Sequence, residues 1–244
     1  MHPENKYVRL SMTKGERMSF KFSKNSKPPK NQPERDEHDD ELDEEEEDEK
    51  EESDLNVPPE LRTIGLFGAV EEEKVTDLIG AIIALSEPKV KKTKDEEGNT
   101  VEEKEPVKPI TFMLNTPGGN ADEMFALYDI MRMHRDNCEI HTFGIGKVMS
   151  AGVLLLAAGT KGQRKVGKHC RIMIHSVIGG SSGSFHNLEN EMEEIRYIQN
   201  TYIKALSEET GTSYNQLKKM IDRKVNVYLS AEEAVKLGIA DIIV

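Results

Sequence analysis

Ser150, His175 and the paired glycines Gly118 and Gly119 are the residues of this chain whose types and settings suit joint chemistry. Ser150 falls between a glycine-containing approach (Gly144, Gly146) and the apolar run Val153 to Ala158. The preceding Glu139–Phe143 alternates polar and apolar as a strand does, and the run after Ser150 has the length and composition of a buried helix. A hydroxyl at a strand-to-helix turn lies at a helix N-terminus, where backbone N–H groups and the helix dipole favour negative charge. An activated nucleophile and the oxyanion it generates both need that setting. The same position also suits a serine that caps a core helix and does nothing else. A partner base must decide between the two.

Histidine is the usual base for a serine hydroxyl, and seven compete. His2 and His38 lie in a charged N-terminal region, His134 on a charged helix end, and His186 after a glycine segment. His141 and His169 stand beside strands, with no polar partner evident in the sequence. His175 differs. It ends the apolar strand Arg171–Ile174 and leads into Gly179-Gly-Ser-Ser-Gly-Ser184, and strand C-termini are where α/β folds put active-site groups. Pro117-Gly118-Gly119 ends another strand with backbone that a substrate or oxyanion can approach closely, although a double glycine alone is also simply a turn.

The elements that must position these residues alternate in type. Arg62–Gly68 reads as a buried strand, and Glu71–Leu85 as a helix with Val75, Leu78, Ile79, Ile82, Ile83 and Leu85 on a broad apolar face. Residues 88–108 interrupt with six Lys and six acids around Glu97-Gly-Asn-Thr100, a solvent-exposed inserted hairpin. Pro109–Leu114 is a strand that runs into Asn115-Thr-Pro-Gly-Gly119. A helix from Asp122 carries Met124, Phe125, Leu127, Tyr128, Met131 and Met133 on its apolar side. After the Ser150 helix and the Arg171–Ile174 strand, an amphipathic helix from Asn187 to Glu209 repeats Leu188, Met192, Ile195, Ile198, Tyr202 and Leu206, and Gly211 closes it. A helix near Tyr214–Arg223, a strand near Asn226–Leu229, a helix capped by Ser230 and Glu233, and a strand at Ala240–Val244 complete the chain. This order predicts an α/β fold of βαβ crossovers.

Composition separates a tail from this fold. Residues 36–54 hold fifteen Asp/Glu and one Lys, a net of −14; the whole chain is −12, so everything else sums to +2. Residues 1–35 carry nine Lys/Arg against three Glu. A basic arm followed by an acidic block, with few apolar residues, predicts a disordered tail over 1–56 and a folded domain over 57–244. Cys138 and Cys170 have no metal-ligand spacing and read as reduced, buried thiols. No metal, cofactor or nucleic acid is implied. The absence of an apolar leader or a spanning run predicts a soluble, cytoplasmic protein without a membrane partner.

Four motifs resemble the proteolytic subunit of the Clp protease. They are Asn115-Thr-Pro-Gly-Gly119, the Gly-x-x-x-Ser-x-Gly of 146–152 with Leu155-Leu-Ala-Ala-Gly159, Arg171-Ile-Met-Ile-His175 with Gly179-Gly180, and Tyr228-Leu-Ser-Ala-Glu-Glu-Ala-Val235 with Gly238 and Asp241. Thr13-Lys-Gly-Glu-Arg17 is similar to that family's N-terminal axial segment. The resemblance implies a crotonase-like α/β fold of stacked βαβ units with a protruding handle helix. It also implies a serine endopeptidase that cleaves polypeptides in stacked heptameric rings beside a separate AAA+ unfoldase. Residue by residue it implies Ser150 as nucleophile, His175 as base, and the N–H groups of Gly119 and Ala151 as oxyanion hole. Gly118 and Val177, Ile178, Gly179 and Gly180 would bind substrate by strand addition.

The departures bear on activity. Asn226 occupies the position of the family's third triad member, an Asp; neutral Asn orients an imidazole but does not stabilise imidazolium. Asp222, one turn upstream, is an alternative carboxylate or a solvated helix residue. Ala151 replaces a Met, and Ser176-Val177 replaces a Gln-Pro. The tail and insertion suggest a specialised branch, and viral capsid-maturation proteases are one such use. Two other readings stand beside the peptidase: a structural or regulatory ring subunit disabled by Asn226, and a crotonase-type acyl-CoA enzyme.

Overall fold

The computed structural model describes residues 61–94, 99–223 and 225–244. The tail 1–56, the predicted domain start at Val57 and part of the hairpin tip lie outside the described residues.

The elements follow the sequence pattern closely. Strand β1 (Thr63–Phe67) leads to helix α1 (Glu72–Ser86), then the antiparallel pair β2 (Val90–Lys94) and β3 (Thr100–Lys104). Next come β4 (Ile110–Thr116), α2 (Ala121–His134), β5 (Ile140–Met149), α3 (Ala151–Ala157), β6 (Lys165–Val166) and β7 (Arg171–Ile174). The chain ends with α4 (Phe185–Thr210), α5 (Tyr214–Ile221), β8 (Val227–Leu229), α6 (Ala231–Lys236) and β9 (Ile242–Ile243).

The parallel order is β1-β4-β5-β6-β9, and β5 also pairs β7. Strand β5 changes partner along its length. Phe143 and Gly144 pair β6, whereas Lys147 to Met149 pair β7. Gly146 lies between, at φ +61, a value an L side chain rarely adopts. That handover carries Ser150 away from the central sheet and toward β7. Strand β8 runs antiparallel to β7, so the sheet is mixed where βαβ crossovers alone predict parallel pairing.

Helix α3 sits at the centre of the core. All seven of its residues are buried, and it packs on β4, β5, β7, α2 and α4. Seven residues are too few for a helix to persist alone in water. Burial of Val153, Leu154, Leu155 and Leu156 supplies the stability, about 1.5–3 kcal/mol for each side chain. On α1, Val75, Leu78 and Ile82 are buried while Ile83 is exposed. Met133, expected on the apolar side of α2, is also exposed. Among the described residues no strand pairs the outer side of β1, and Leu66 is the one residue of the strand that is fully buried, where a buried strand was expected.

A polar hub closes the base of the core. Glu209, 2% exposed, accepts from the Tyr128 phenol at 3.0 Å and from Arg135 at 2.8 Å. Burial, followed by the Glu209 charge, pushes the Tyr128 phenol up to about 12. Arg164 donates to the carbonyls of Ala157 and Glu209 and pairs Asp241 at 2.6 Å. The hub thus fixes α2, α3, α4 and the C-terminal strand relative to one another. At the far end, Ser230 and Glu233 form the expected reciprocal cap of α6, and Gly211 ends α4 at φ 72.

Candidate active site

Ser150 is the one non-glycine residue with positive φ among the described residues, at φ 54 and ψ −123. Holding an L residue there costs roughly 1–3 kcal/mol. Its side chain makes no capping bond to α3. The helix-cap alternative therefore fails: the Ser150 side chain caps nothing and the residue borders a cleft. Three bonds hold the bend. The Ser150 N–H donates to the Met173 carbonyl at 2.8 Å, and the Ser150 carbonyl accepts from the Val153 N–H at 3.0 Å and the Tyr202 phenol at 3.1 Å. Burial pushes the Tyr202 phenol well above its ordinary range, which keeps it a neutral donor. Gly152 lets α3 approach β4, since a β-carbon there would meet Thr116 Cγ2 at 2.4 Å.

The segment after β4 is built around its backbone. The Gly118 N–H donates to Thr116 Oγ1 at 3.0 Å, and its carbonyl accepts from the Val70 N–H at 2.9 Å. The Asn120 N–H donates to the Val70 carbonyl, and Asn120 Oδ1 caps α2 through the Asp122 N–H at 2.8 Å. These contacts leave the N–H groups of Gly119 and Ala151 without a protein acceptor among the described residues. Both residues line one cleft of about 560 Å³ with Gly118, Ser150 and His175.

His175 reaches that cleft through strand register. Met149 pairs Met173 across the parallel β5–β7 ladder, so Ser150 and His175 emerge from the same ends of neighbouring strands. His175 is half-buried, and no hydrogen bond joins its ring to Ser150 or Asn226 in this arrangement. Catalytic hydrogen bonds are often long before substrate arrives. Asn226 is exposed and does not line the cleft, although it immediately precedes β8, whose Val227 pairs Ile174. The ladder ends there, and continuing its register by one residue would bring Asn226 opposite His175. Asp222 accepts from Lys218 at 2.7 Å and lines a separate cleft with Ser176 and Val177.

Val177, Ile178 and Gly179 line the Ser150 cleft; Gly180 does not. Ile178 is 83% exposed. Sequence reasoning missed the cleft's far wall, formed by Ile195, Ile198 and Tyr202 of α4 together with Met124 of α2. In the sequence the first three belong to the apolar stripe of α4, and their spacing is the signal that places them on one wall. His141 also departs from expectation, since its Nε2 lies 2.7 Å from Glu139 Oε2. Cys138 and Cys170 are buried and free, and burial pushes the Cys170 thiol up to about 11. Among the described residues, no cluster of His, Cys, Asp or Glu is arranged to hold a metal ion, and no helix is long and apolar enough to cross a membrane.

A model of the Clp protease family matches residues 96–244. The chain belongs to the Clp protease family. It is 36% identical over 143 residues to the ATP-dependent Clp protease proteolytic subunit 1 of Prochlorococcus marinus (strain MIT 9312), covering 59% of this chain and 71% of that protein. It is 32% identical over 144 residues to the ATP-dependent Clp protease proteolytic subunit 2 of Synechococcus sp. (strain CC9605), with the same coverage of 59% and 71%. Against the subunit 2 of Prochlorococcus marinus (strain NATL2A) the identity is 38% over 135 residues, 55% of this chain and 66% of that one. This Clp family member is thus a serine endopeptidase of the Clp type, with the crotonase-like α/β fold. The family match starts within the charged hairpin, beyond β1, α1 and β2.

Proposed function

We propose that this Clp-type protease cleaves polypeptides with Ser150 as nucleophile and His175 as general base. One observation carries the reading: a strained Ser150 turn, two N–H groups without acceptors, and His175 all border one cleft. His175 takes the Ser150 proton as Oγ attacks the scissile carbonyl. The developing oxyanion is met by the N–H groups of Gly119 and Ala151 at the start of α3, where the helix dipole adds to their effect. The proton then passes from His175 to the leaving amine. Asn226 orients the imidazole. Backbone of Gly118 and of residues 177–180 holds the substrate as an added strand. Fluorophosphonate labelling tests the assignment: labelling at Ser150, lost in Ser150→Ala, is expected, and a silent Ser150 in folded protein would overturn it.

The protein acts as a homo-oligomer in this reading, with heptameric rings and a separate AAA+ unfoldase, in the cytoplasm. Support comes from α4, whose N-terminal half leaves Phe185, Leu188, Met192 and Tyr197 exposed, apolar surface that a neighbouring subunit would cover. Sedimentation at micromolar concentration is expected to give a large oligomer; a monomer would refute assembly. The charged hairpin and the tail accord with a protease specialised for few substrates, of which the capsid-maturation type is one kind. Asn226 favours a second reading, an impaired ring subunit, and the same labelling distinguishes it.

A further inference from the structure

We propose that Gln199 is a positioning residue for the base, acting through the backbone of Val177. The inference rests on the peptidase reading of Ser150 and His175. Strand β7 is anchored up to Ile174 by its ladders with β5 and β8. His175 and Ser176 follow, and then the Val177 N–H donates to Gln199 Oε1 at 3.2 Å. Among the described residues this is the one hydrogen bond that ties residues 175–183 to the rest of the fold beyond the end of β7. The ring of His175 makes none of its own. The base therefore sits on a two-residue span whose upstream end is fixed by a sheet and whose downstream end is fixed by a side chain of α4.

A second contact gives the span a direction. A β-carbon on Gly179 would meet Ile195 Cδ1 at 2.6 Å, so Gly179 lies directly against α4. Gln199 and Ile195 are four residues apart on a helix, roughly 6 Å at 1.5 Å per residue. Val177 and Gly179 are two residues apart, roughly 6.6 Å if extended. Residues 177–179 thus touch α4 at two points in the order opposite to the helix, with Gln199 bonding one end and Ile195 packing on the other. Ile195 also lines the Ser150 cleft, so the helix that walls the cleft also holds the base in it. In an apolar setting an amide accepting a backbone N–H replaces a bond to water that the half-buried segment would otherwise need.

The test uses the full chain with three substitutions: Gln199→Met removes the acceptor at similar length, Gln199→Glu keeps it, and Val177→Pro removes the donor. Two readouts are followed: amide exchange at Val177, and the rate of Ser150 labelling by a fluorophosphonate alongside kcat and KM for a peptide. The Val177 amide is expected to exchange at least tenfold faster in Gln199→Met and to stay protected in Gln199→Glu. Labelling and kcat should fall about tenfold in Gln199→Met with KM changed less than twofold, and Gln199→Glu should recover most of the loss. In a Val177→Pro background, Gln199→Met should have less than a twofold further effect, because the donor is already gone. Equal damage by Gln199→Met with and without Val177→Pro would overturn the inference. So would exchange at Val177 that ignores residue 199. Because exchange reads the bond whether or not Ser150 reacts, a failure of the peptidase assignment shows separately, as a wild-type chain that does not label.

Discussion

A β-carbon placed on Gly118 would stand 2.5 Å from Ser150 Cβ and 3.1 Å from its Oγ. The loop after β4 and the Ser150 turn are therefore in backbone-to-side-chain contact, and Gly118 also holds φ +93. Gly118→Ala meets both a clash and a strained backbone. We expect at least a hundredfold loss of peptide hydrolysis and of fluorophosphonate labelling, with a lowered melting temperature. Wild-type labelling rates in Gly118→Ala would mean that the loop does not lie against Ser150.

The strain at Ser150 makes its own prediction. Ser150→Ala removes the hydroxyl and keeps the strained β-carbon; Ser150→Gly removes both. Both variants should lose hydrolysis altogether, and Ser150→Gly should be the more stable by about 1 kcal/mol, because glycine reaches φ 54 without cost. Urea denaturation of the pair measures it. Greater stability of Ser150→Ala would show that the backbone relaxes once the hydroxyl is gone.

Asp241 predicts a pH effect away from the cleft. Burial pushes its carboxyl up, but hydrogen bonds from the side chain and backbone of Arg164, the Arg164 charge and the Gly162 N–H outweigh it and hold the carboxyl below its usual range. A carboxyl lower in the folded chain than in the unfolded one adds stability above its unfolded range. That stability is lost as pH falls through the folded value. Asp241→Asn should therefore cost about 1 kcal/mol near neutral pH, solvent screening reducing the effect at this partly exposed carboxyl, and less in acid, since it leaves the Arg164 charge without its counter-ion. Denaturation at several pH values checks it, and a cost that does not shrink on acidification would contradict the linkage.

Much of this was legible in the sequence because strong periodicity and local chemistry agree. The apolar run after Ser150, the stripe of α4, the Gly211 terminus and the Ser230–Glu233 cap each state their element in neighbouring residues. The misses were non-local. Strand β6 has two residues, too few for any period to register. The exposure of β1 depends on which strand lies at the sheet edge. The antiparallel β7–β8 pair depends on how the chain returns after α5. At the site, Ser150 and His175 declared themselves through strand ends and glycines, but the bent backbone of Ser150 and the Gln199 bond appear only in three dimensions. A glutamine on the polar side of an amphipathic helix carries no local sign that it faces Val177. His141 is the exception, because its partner Glu139 stands two residues earlier on the same strand face and was a local signal.

Asn226 provides the last prediction. The β7–β8 ladder ends at the pair Ile174–Val227, and continuing its register by one residue would bring Asn226 opposite His175. Asn226→Asp is nearly isosteric, so packing should be unchanged while one negative charge is added on the His175 side of β8. That charge favours imidazolium and fixes the ring N–H toward residue 226. The benefit appears when the Ser150 proton moves, in the transition state, so kcat should rise with KM little changed. A gain of about tenfold means that Asn226 already orients the ring adequately, and about a thousandfold means that it does not. Asp222→Asn is made in parallel. Asp222 is bonded to Lys218 and lines a different cleft, so its loss should change kcat less than twofold. Unchanged kcat in Asn226→Asp with a hundredfold loss in Asp222→Asn would transfer the third triad role to Asp222, by a rearrangement of α5 that breaks its bond to Lys218.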